Sequence, residues 1–379
     1  MSMKKIVIVF VAVNLVAQIN IKSQNSSWDY FSANRKVNSI AIEDSSAWVG
    51  TNAGLLEYRL SDTMIIYNKL NSGLPQNYIN SIIIDNMNKK WISVYDGGTS
   101  SYDGTSWINY NTENSYIPDN NIKVLATDKE NNKWFGSYGF GLVKFNGIKW
   151  TVYNTSNSSI PDDHIPCLTI DSNNNKWIGT ISYGIAKYDD THWTIYNKDN
   201  SQLPDNDIAC ISSDTKNNIW IGTSYYGVVC FNGSNWILYN TSNSGIPSNH
   251  IYSLKIISDS CIYIGTDRGF AIFDGDTWQS HNIFDPTNRY ETIFAIDAKS
   301  ENSVWIGSLS GLAFGNGYSW SILPTTYTGL QDDEIRSICI DKNNKKWIGT
   351  MNGIAVYNDS IWIKYDHSNS DFRGYFIIV

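Results

Sequence analysis

The sequence predicts an all-β fold, a single β-propeller of four-stranded antiparallel blades, and three observations carry that prediction. A short motif recurs eight times, at Trp48 (WVGT), Trp91 (WISV), Trp134 (WFGS), Trp177 (WIGT), Trp220 (WIGT), Tyr263 (YIGT), Trp305 (WIGS) and Trp347 (WIGT). The intervals are 43 residues five times and then 42 twice, a period that suits one four-stranded blade per copy. All 15 tryptophans fall on two positions of this unit, the second being Trp28, Trp107, Trp150, Trp193, Trp236, Trp278, Trp320 and Trp362. A large ring placed once per unit packs one unit against the next. Finally, no segment holds a helical period for three turns, while short β-branched and aromatic runs bounded by turn residues recur throughout.

Each unit divides into four strands, as the copies between Trp177 and Asp214 show. The first resembles Ile208–Asp214 (IACISSD), with small and branched residues suited to the crowded inner edge of a blade. The second is the WIGT segment, the third Gly184–Tyr188 (GIAKY) and the fourth His192–Tyr196 (HWTIY). Between first and second strands lie Asn- and Asp-rich turns such as Asp171–Lys176 (DSNNNK), where these residues tolerate left-handed backbone. They lack the glycine and distant glutamate of a calcium-binding loop, so they read as turns. Third and fourth strands are joined by hairpins such as FNG and YDG. A long proline-containing link, for example Tyr153–Ile165, then carries the chain to the next inner strand. Eight copies predict eight blades, with a seven-bladed ring and a displaced end unit as the alternative. Trp28–Phe31 (WDYF) reads as an extra fourth strand and Phe376–Val379 (FIIV) as the start of an extra first strand, so one terminal strand is expected to supplement or displace its counterpart. The same overlap also fits a piece of a longer repeat array.

Composition narrows the functional classes. The formal charge is −8 and the lysines are scattered, which excludes the basic footprint of a nucleic-acid binder. Lys4 and Lys5 precede an apolar run, Ile6–Ala17, in the layout of a secretory signal peptide. The expected organisation is a signal peptide over residues 1–24, cleaved between 17 and 24, and a propeller over 25–379, with no membrane span after cleavage. The five cysteines (Cys167, Cys210, Cys230, Cys261 and Cys339) show no CxxC spacing, against a zinc site or a disulfide framework. Cys167 and Cys210 align with Ser39, Ser81, Ser253 and Ser337 and read as small buried residues.

In a propeller, the link into each first strand and the turn between second and third strands lie together around one mouth of the channel. The turn after WIGT is one residue longer in copies two to five, and there it is aromatic: Tyr95, Tyr138 and Phe140, Tyr183, then Tyr225 and Tyr226. Four successive blades would present an arc of rings on which a sugar or another flat apolar face can stack. Just before the first strands stand Lys36, Tyr78, Asn121, His164, Asp207, His250 and Glu334, expected to line the entrance, with Arg268 near the same mouth. Adjacent blades diverge too far for His164, Asp207 and His250 to ligate one metal, so no cofactor or metal is expected.

The pattern I..D..N..WIGT..GI..Y, followed by an F/W..Y strand and an NS.IP.N.I link, resembles the two-component regulator propeller repeats over residues 28–370. That resemblance implies an extracytoplasmic propeller, in a family whose members typically form periplasmic sensor regions in Bacteroidetes-like bacteria and are associated with sensing polysaccharide fragments. No kinase, receiver or DNA-binding segment accompanies the repeats here, so a signalling or cell-envelope partner would be a separate chain. The expected function is an exported, non-enzymatic recognition or sensor-type module that binds an oligosaccharide or protein at the mouth. The alternatives are a propeller lyase or hydrolase, with His164 and His250 as candidate bases, and a structural subunit of an envelope complex.

Overall fold

The computed structural model describes residues 37–43, 46–59, 64–281, 291–300, 303–308, 310, 312–315, 320–323, 334–341, 343–350, 353–359 and 361–365. Its strands form eight sheets of four antiparallel strands, each built from consecutive strands in chain order. The described residues belong to one compact unit. The unit between Trp177 and Asp214 is typical, with strands Lys176–Gly179, Ile185–Tyr188 and Trp193–Tyr196 followed by Ile208–Ser213 of the next blade. First strands touch first strands from blade to blade, and Val37–Ile42 of blade 1 touches Ile335–Ile340 of blade 8. The first strands therefore line the channel and the ring has eight blades, not seven. Blades 1 and 8 each draw all four strands from one continuous stretch; the terminal segments read above as extra strands lie outside the described residues, as do Lys36 and the stretch expected to be a signal peptide.

The four letters of WIGT each have a physical task. Trp134 faces blade 4 and is fully buried in a cluster with Ile165, Ile178 and Ala186, so the Trp of one blade meets the Ile of the next. The glycine permits the closest approach between blades. A Cβ on Gly136 would stand 2.7 Å from Cγ2 of Ile165, and one on Gly179 would stand 2.7 Å from Cγ2 of Ile208. The threonine closes the following turn: Thr180 Oγ1 donates to the Gly184 carbonyl at 2.8 Å and accepts the Tyr183 N–H at 3.1 Å. On the outer strands the second tryptophan stacks on the ring that ends the third strand, as in Phe145–Trp150 at 4.2 Å and Tyr188–Trp193 at 4.4 Å. It also meets a tyrosine of the preceding blade, Tyr110 for Trp150 at 5.1 Å.

The Asn-rich turns adopt the backbone their composition predicts, with Asn88, Asn131, Asn174, Asn217 and Asn344 at positive φ. Their leading acid does more than start a turn. Asp85 accepts the Trp91 Nε1–H at 3.0 Å, and the same bond recurs from Trp134 to Asp128 at 2.8 Å and from Trp177 to Asp171 at 2.9 Å. A buried lysine of the next blade completes the contact: Lys133 Nζ lies 2.8 Å from Asp85 and 5.4 Å from the Trp91 ring centroid. Lys90 repeats this against Glu43 at 2.5 Å and Trp48 at 4.9 Å. Burial alone would raise the Asp85 pKa, but hydrogen bonds from Lys133, Trp91 and the turn backbone outweigh it and hold the carboxyl below its usual value.

Cys167 and Cys210 occupy the small-residue position of the first strand, half-buried, with the Cys167 thiol 3.8 Å from the Ile208 carbonyl. Burial pushes the Cys167 thiol up, and it pushes Cys210, Cys230 and Cys339 to about 12.

Three outcomes are expected. Asp85→Ala strands the Lys133 ammonium and the Trp91 N–H, and urea denaturation should show a loss of about 3–5 kcal/mol. Lys133→Met should cost far less, because Ile219 and Ile262 hold the equivalent position in blades 5 and 6. Treating the native protein with an aromatic disulfide reagent at pH 8 should leave Cys167, Cys210, Cys230 and Cys339 unlabelled, and peptide mass spectrometry after urea unfolding should find all four reactive.

Candidate functional site: the channel mouth

The entry links and the turns between second and third strands meet at one mouth, held by a repeated backbone bond across each blade boundary. The glycine opening the third strand donates to the entry link of the next blade: Gly98 to the Asn120 carbonyl at 2.8 Å, Gly141 to Asp163 at 2.9 Å, Gly184 to Asn206 at 2.9 Å and Gly227 to Asn249 at 2.9 Å. Each of these glycines has positive φ, and a Cβ on Gly184 would lie 2.3 Å from the Tyr196 carbonyl oxygen. The longer turns are thereby anchored at their bases while their side chains project.

The six aromatic residues predicted for these turns are all exposed. Tyr95, Tyr138, Phe140, Tyr183, Tyr225 and Tyr226 keep between 50% and 57% of their surface accessible. Three are flanked by predicted entrance residues. Tyr95 lies beside Tyr78, with centroids 5.5 Å apart and its N–H bonded to the Tyr78 carbonyl at 2.8 Å. Tyr138 meets His164 edge-on at 5.2 Å, and Tyr225 meets His250 edge-on at 5.1 Å, each across a blade boundary. The Asn121 carbonyl accepts the Tyr138 N–H at 3.2 Å. His164 Nδ1 is also 3.3 Å from Asp162 Oδ1. The two histidines therefore sit in blades 4 and 6, each against its own tyrosine. Among the described residues no group of three or more His, Cys, Asp or Glu side chains is placed to hold a metal ion.

Asp207 stands in the link between blades 4 and 5. Its carbonyl accepts the Ser224 N–H at 3.1 Å, and its own N–H bonds the Asp205 carboxylate at 3.2 Å. Burial raises the Asp207 pKa and the neighbouring Asp205 charge adds to the rise, against a bond from Ser224 that lowers it. Arg268 is exposed on the short turn of blade 6, its N–H bonded to Thr266 Oγ1 at 3.0 Å. Glu334 pairs with Arg336, a residue that sequence reasoning did not single out.

Arg336 belongs to a layer just inside the mouth. In seven blades the register with the second strand slips at the second residue of the first strand, a β-bulge that leaves this residue unpaired. In blade 4 the position is Pro166, which has no N–H to pair, and the strand begins at Cys167. In blades 1 and 2 the bulge residues are Asn38 and Asn80, whose amides bond the Ile79 and Ile122 carbonyls of the next blade at 2.8 and 2.9 Å. In blades 6, 7 and 8 they are Tyr252, Phe294 and Arg336. The guanidinium carbon of Arg336 lies 3.8 Å from the Phe294 centroid, and Tyr252 meets Phe294 edge-on at 6.0 Å. The legible signal was a variable residue directly after the invariably branched start of the first strand; its meaning depends on the bulge.

Two further concavities lie away from this mouth. One of about 580 Å³ opens among the Asn-rich turns of blades 3 to 6, and one of about 500 Å³ lies at the outer edge between blades 2 and 3, beside the exposed Tyr116 and Ile148.

The eight sheets define an eight-bladed β-propeller with an aromatic mouth. Residues 202–225 match the family model described as the two component regulator propeller. No curated protein matches the chain significantly. Among solved structures it is similar to the extracellular domain of a hybrid two component system from B. thetaiotaomicron, at 20% identity and a TM-score of 0.54 over 88% of this chain and 53% of that one. It is also similar to PorZ of Porphyromonas gingivalis, a surface component of the type-IX secretion system, at 14% identity and a TM-score of 0.56 over 90% of this chain and 62% of that one. Virginiamycin B lyase from Staphylococcus aureus aligns at 14% identity and a TM-score of 0.55 over 72% of this chain and 92% of that one. The chain thus spans only about half the length of the sensor domain, and identities this low establish the shared fold alone.

Because its carboxyl is held protonated to higher pH than in the unfolded chain, Asp207 opposes folding once it ionises. Asp207→Asn should raise the urea midpoint at pH 7 and leave it unchanged near pH 3, below both pKa values, where the native carboxyl is already neutral.

Proposed function

We propose that the protein is an extracytoplasmic recognition module that binds an oligosaccharide at the aromatic arc of the mouth. The observation that carries this reading is the arc itself: six half-exposed rings from four successive blades, on turns one residue longer than those of the other blades. Rings this exposed contribute nothing to the core, and a saccharide ring can stack its C–H face on them while its hydroxyls reach the polar entry links. Tyr138 and Tyr225 are steadied by His164 and His250, so the platform is partly preorganised and loses less entropy on binding.

Export agrees with the apolar, lysine-led N-terminal stretch, and among the described residues no helix is long and apolar enough to cross a membrane. The sensor-domain likeness supports the same compartment.

The purified protein, fluorescently labelled and screened on a glycan array, should bind a restricted set of oligosaccharides. The combined change Tyr138→Ala, Tyr183→Ala and Tyr226→Ala should weaken that binding at least about tenfold, roughly 1.4 kcal/mol, without lowering the thermal midpoint. Binding that survives the triple change would place the ligand elsewhere.

A further inference from the structure

The arc covers only blades 2 to 5. On blades 1 and 6 the turn above the mouth holds two residues, Asn52–Ala53 and Asp267–Arg268, and no ring overhangs the channel there. On blades 6 to 8 the aromatic and cationic groups occur instead one layer down, at the bulge. A bulge bends the strand and re-aims its unpaired side chain, and on an innermost strand the open direction is the channel. Tyr252 is 49% exposed at this position.

We infer that Tyr252, Phe294 and Arg336 form an inner subsite that takes the terminal ring of an oligosaccharide entering the channel end-on, while the rest of the ligand lies across the arc. The inference rests on the saccharide reading above. Phe294 and Glu334 fix the guanidinium from two sides, one by stacking and one by charge. A planar group held in this way keeps its free face and edge preorganised for hydrogen bonds. Arg336 Nε is buried with no hydrogen-bond partner among the described residues, and Asp267 Oδ1, in the turn above Tyr252, is in the same condition. Buried polar atoms are ordinarily paired, and the hydroxyls of a sugar offer an acceptor to Nε and a donor to a carboxylate. Glu334 already balances the guanidinium and the whole chain carries −8, so the chemistry favours a neutral sugar over a uronate.

The test is calorimetric titration of the full chain with gluco-, manno- and galacto-configured oligosaccharides of two to six residues, and with the parent polysaccharides at equal mass concentration. At least one oligosaccharide series should bind, and its parent polysaccharide, poor in chain ends, should bind at least tenfold more weakly per unit mass. Phe294→Ala and Arg336→Gln should weaken disaccharide and hexasaccharide alike by at least tenfold. Tyr252→Ala, at an exposed position where folding is safe, should do the same with an unchanged circular dichroism spectrum and thermal midpoint. Tyr183→Ala with Tyr226→Ala should weaken chiefly the hexasaccharide. Equal binding of polymer and oligomer, or binding untouched by Tyr252→Ala and Arg336→Gln, overturns the inner subsite and leaves the arc reading standing. If the wild-type protein binds no member of the panel, both readings fall.

Discussion

The close approach of two strands across each blade boundary is the constraint on which the ring depends. In seven of the eight copies the second strand carries a glycine against the branched residue that opens the first strand of the next blade, blade 2 having Ser93 there, and at Gly307 an added Cβ would come within 2.2 Å of Ile335. With that contact made, the adjoining tryptophan and isoleucine bury their side chains between the blades. Propeller stability is then a sum of such nearest-neighbour interfaces. A larger side chain at the glycine would push the blades apart and loosen the tryptophan packing beside it.

Electrostatics reinforce this packing unevenly. A carboxylate bonded to the indole N–H and to a lysine of the next blade recurs at Trp48 and Trp91, where the lysines are Lys90 and Lys133. At Trp177 and Trp220 the facing residue is Ile219 or Ile262, so the acid binds only its own indole and turn. Trp305 lacks an acid six residues earlier, and its Nε1 is buried with no partner among the described residues. An ion pair and an apolar contact of similar volume are therefore interchangeable at this boundary, as expected when desolvation offsets most of the Coulombic gain.

Because the boundary absorbs the constant residues, the mouth is released to vary. The turn after the second strand and the bulge of the first strand lie at one end of the blade, and neither contributes to the interface clusters. Aromatic side chains stand on the rim in the four blades with long turns, and at the bulge in two of the blades with short ones, at Tyr252 and Phe294. The backbone bonds from the third-strand glycines keep the rim from moving independently of the blades.

The sequence by itself determined the eight copies, the four strands in each, the turn chemistry and the positions of the aromatic arc, because all of these are local and repeat in phase; that eight blades close one ring was decided by the contact of Val37–Ile42 with Ile335–Ile340. The register of WIGT assigns every neighbouring residue its place once the period is known. Pairings across blade boundaries were not legible. The edge-on contacts of Tyr138 with His164 and Tyr225 with His250 join residues 26 and 25 positions apart, and no periodicity relates them. The inner layer escaped for a related reason: Tyr252, Phe294 and Arg336 look like ordinary strand residues until a register slip turns them toward the channel. That slip is a property of two paired strands, and the stack of Arg336 on Phe294 is a property of two blades, so only the tertiary structure decides where those side chains meet.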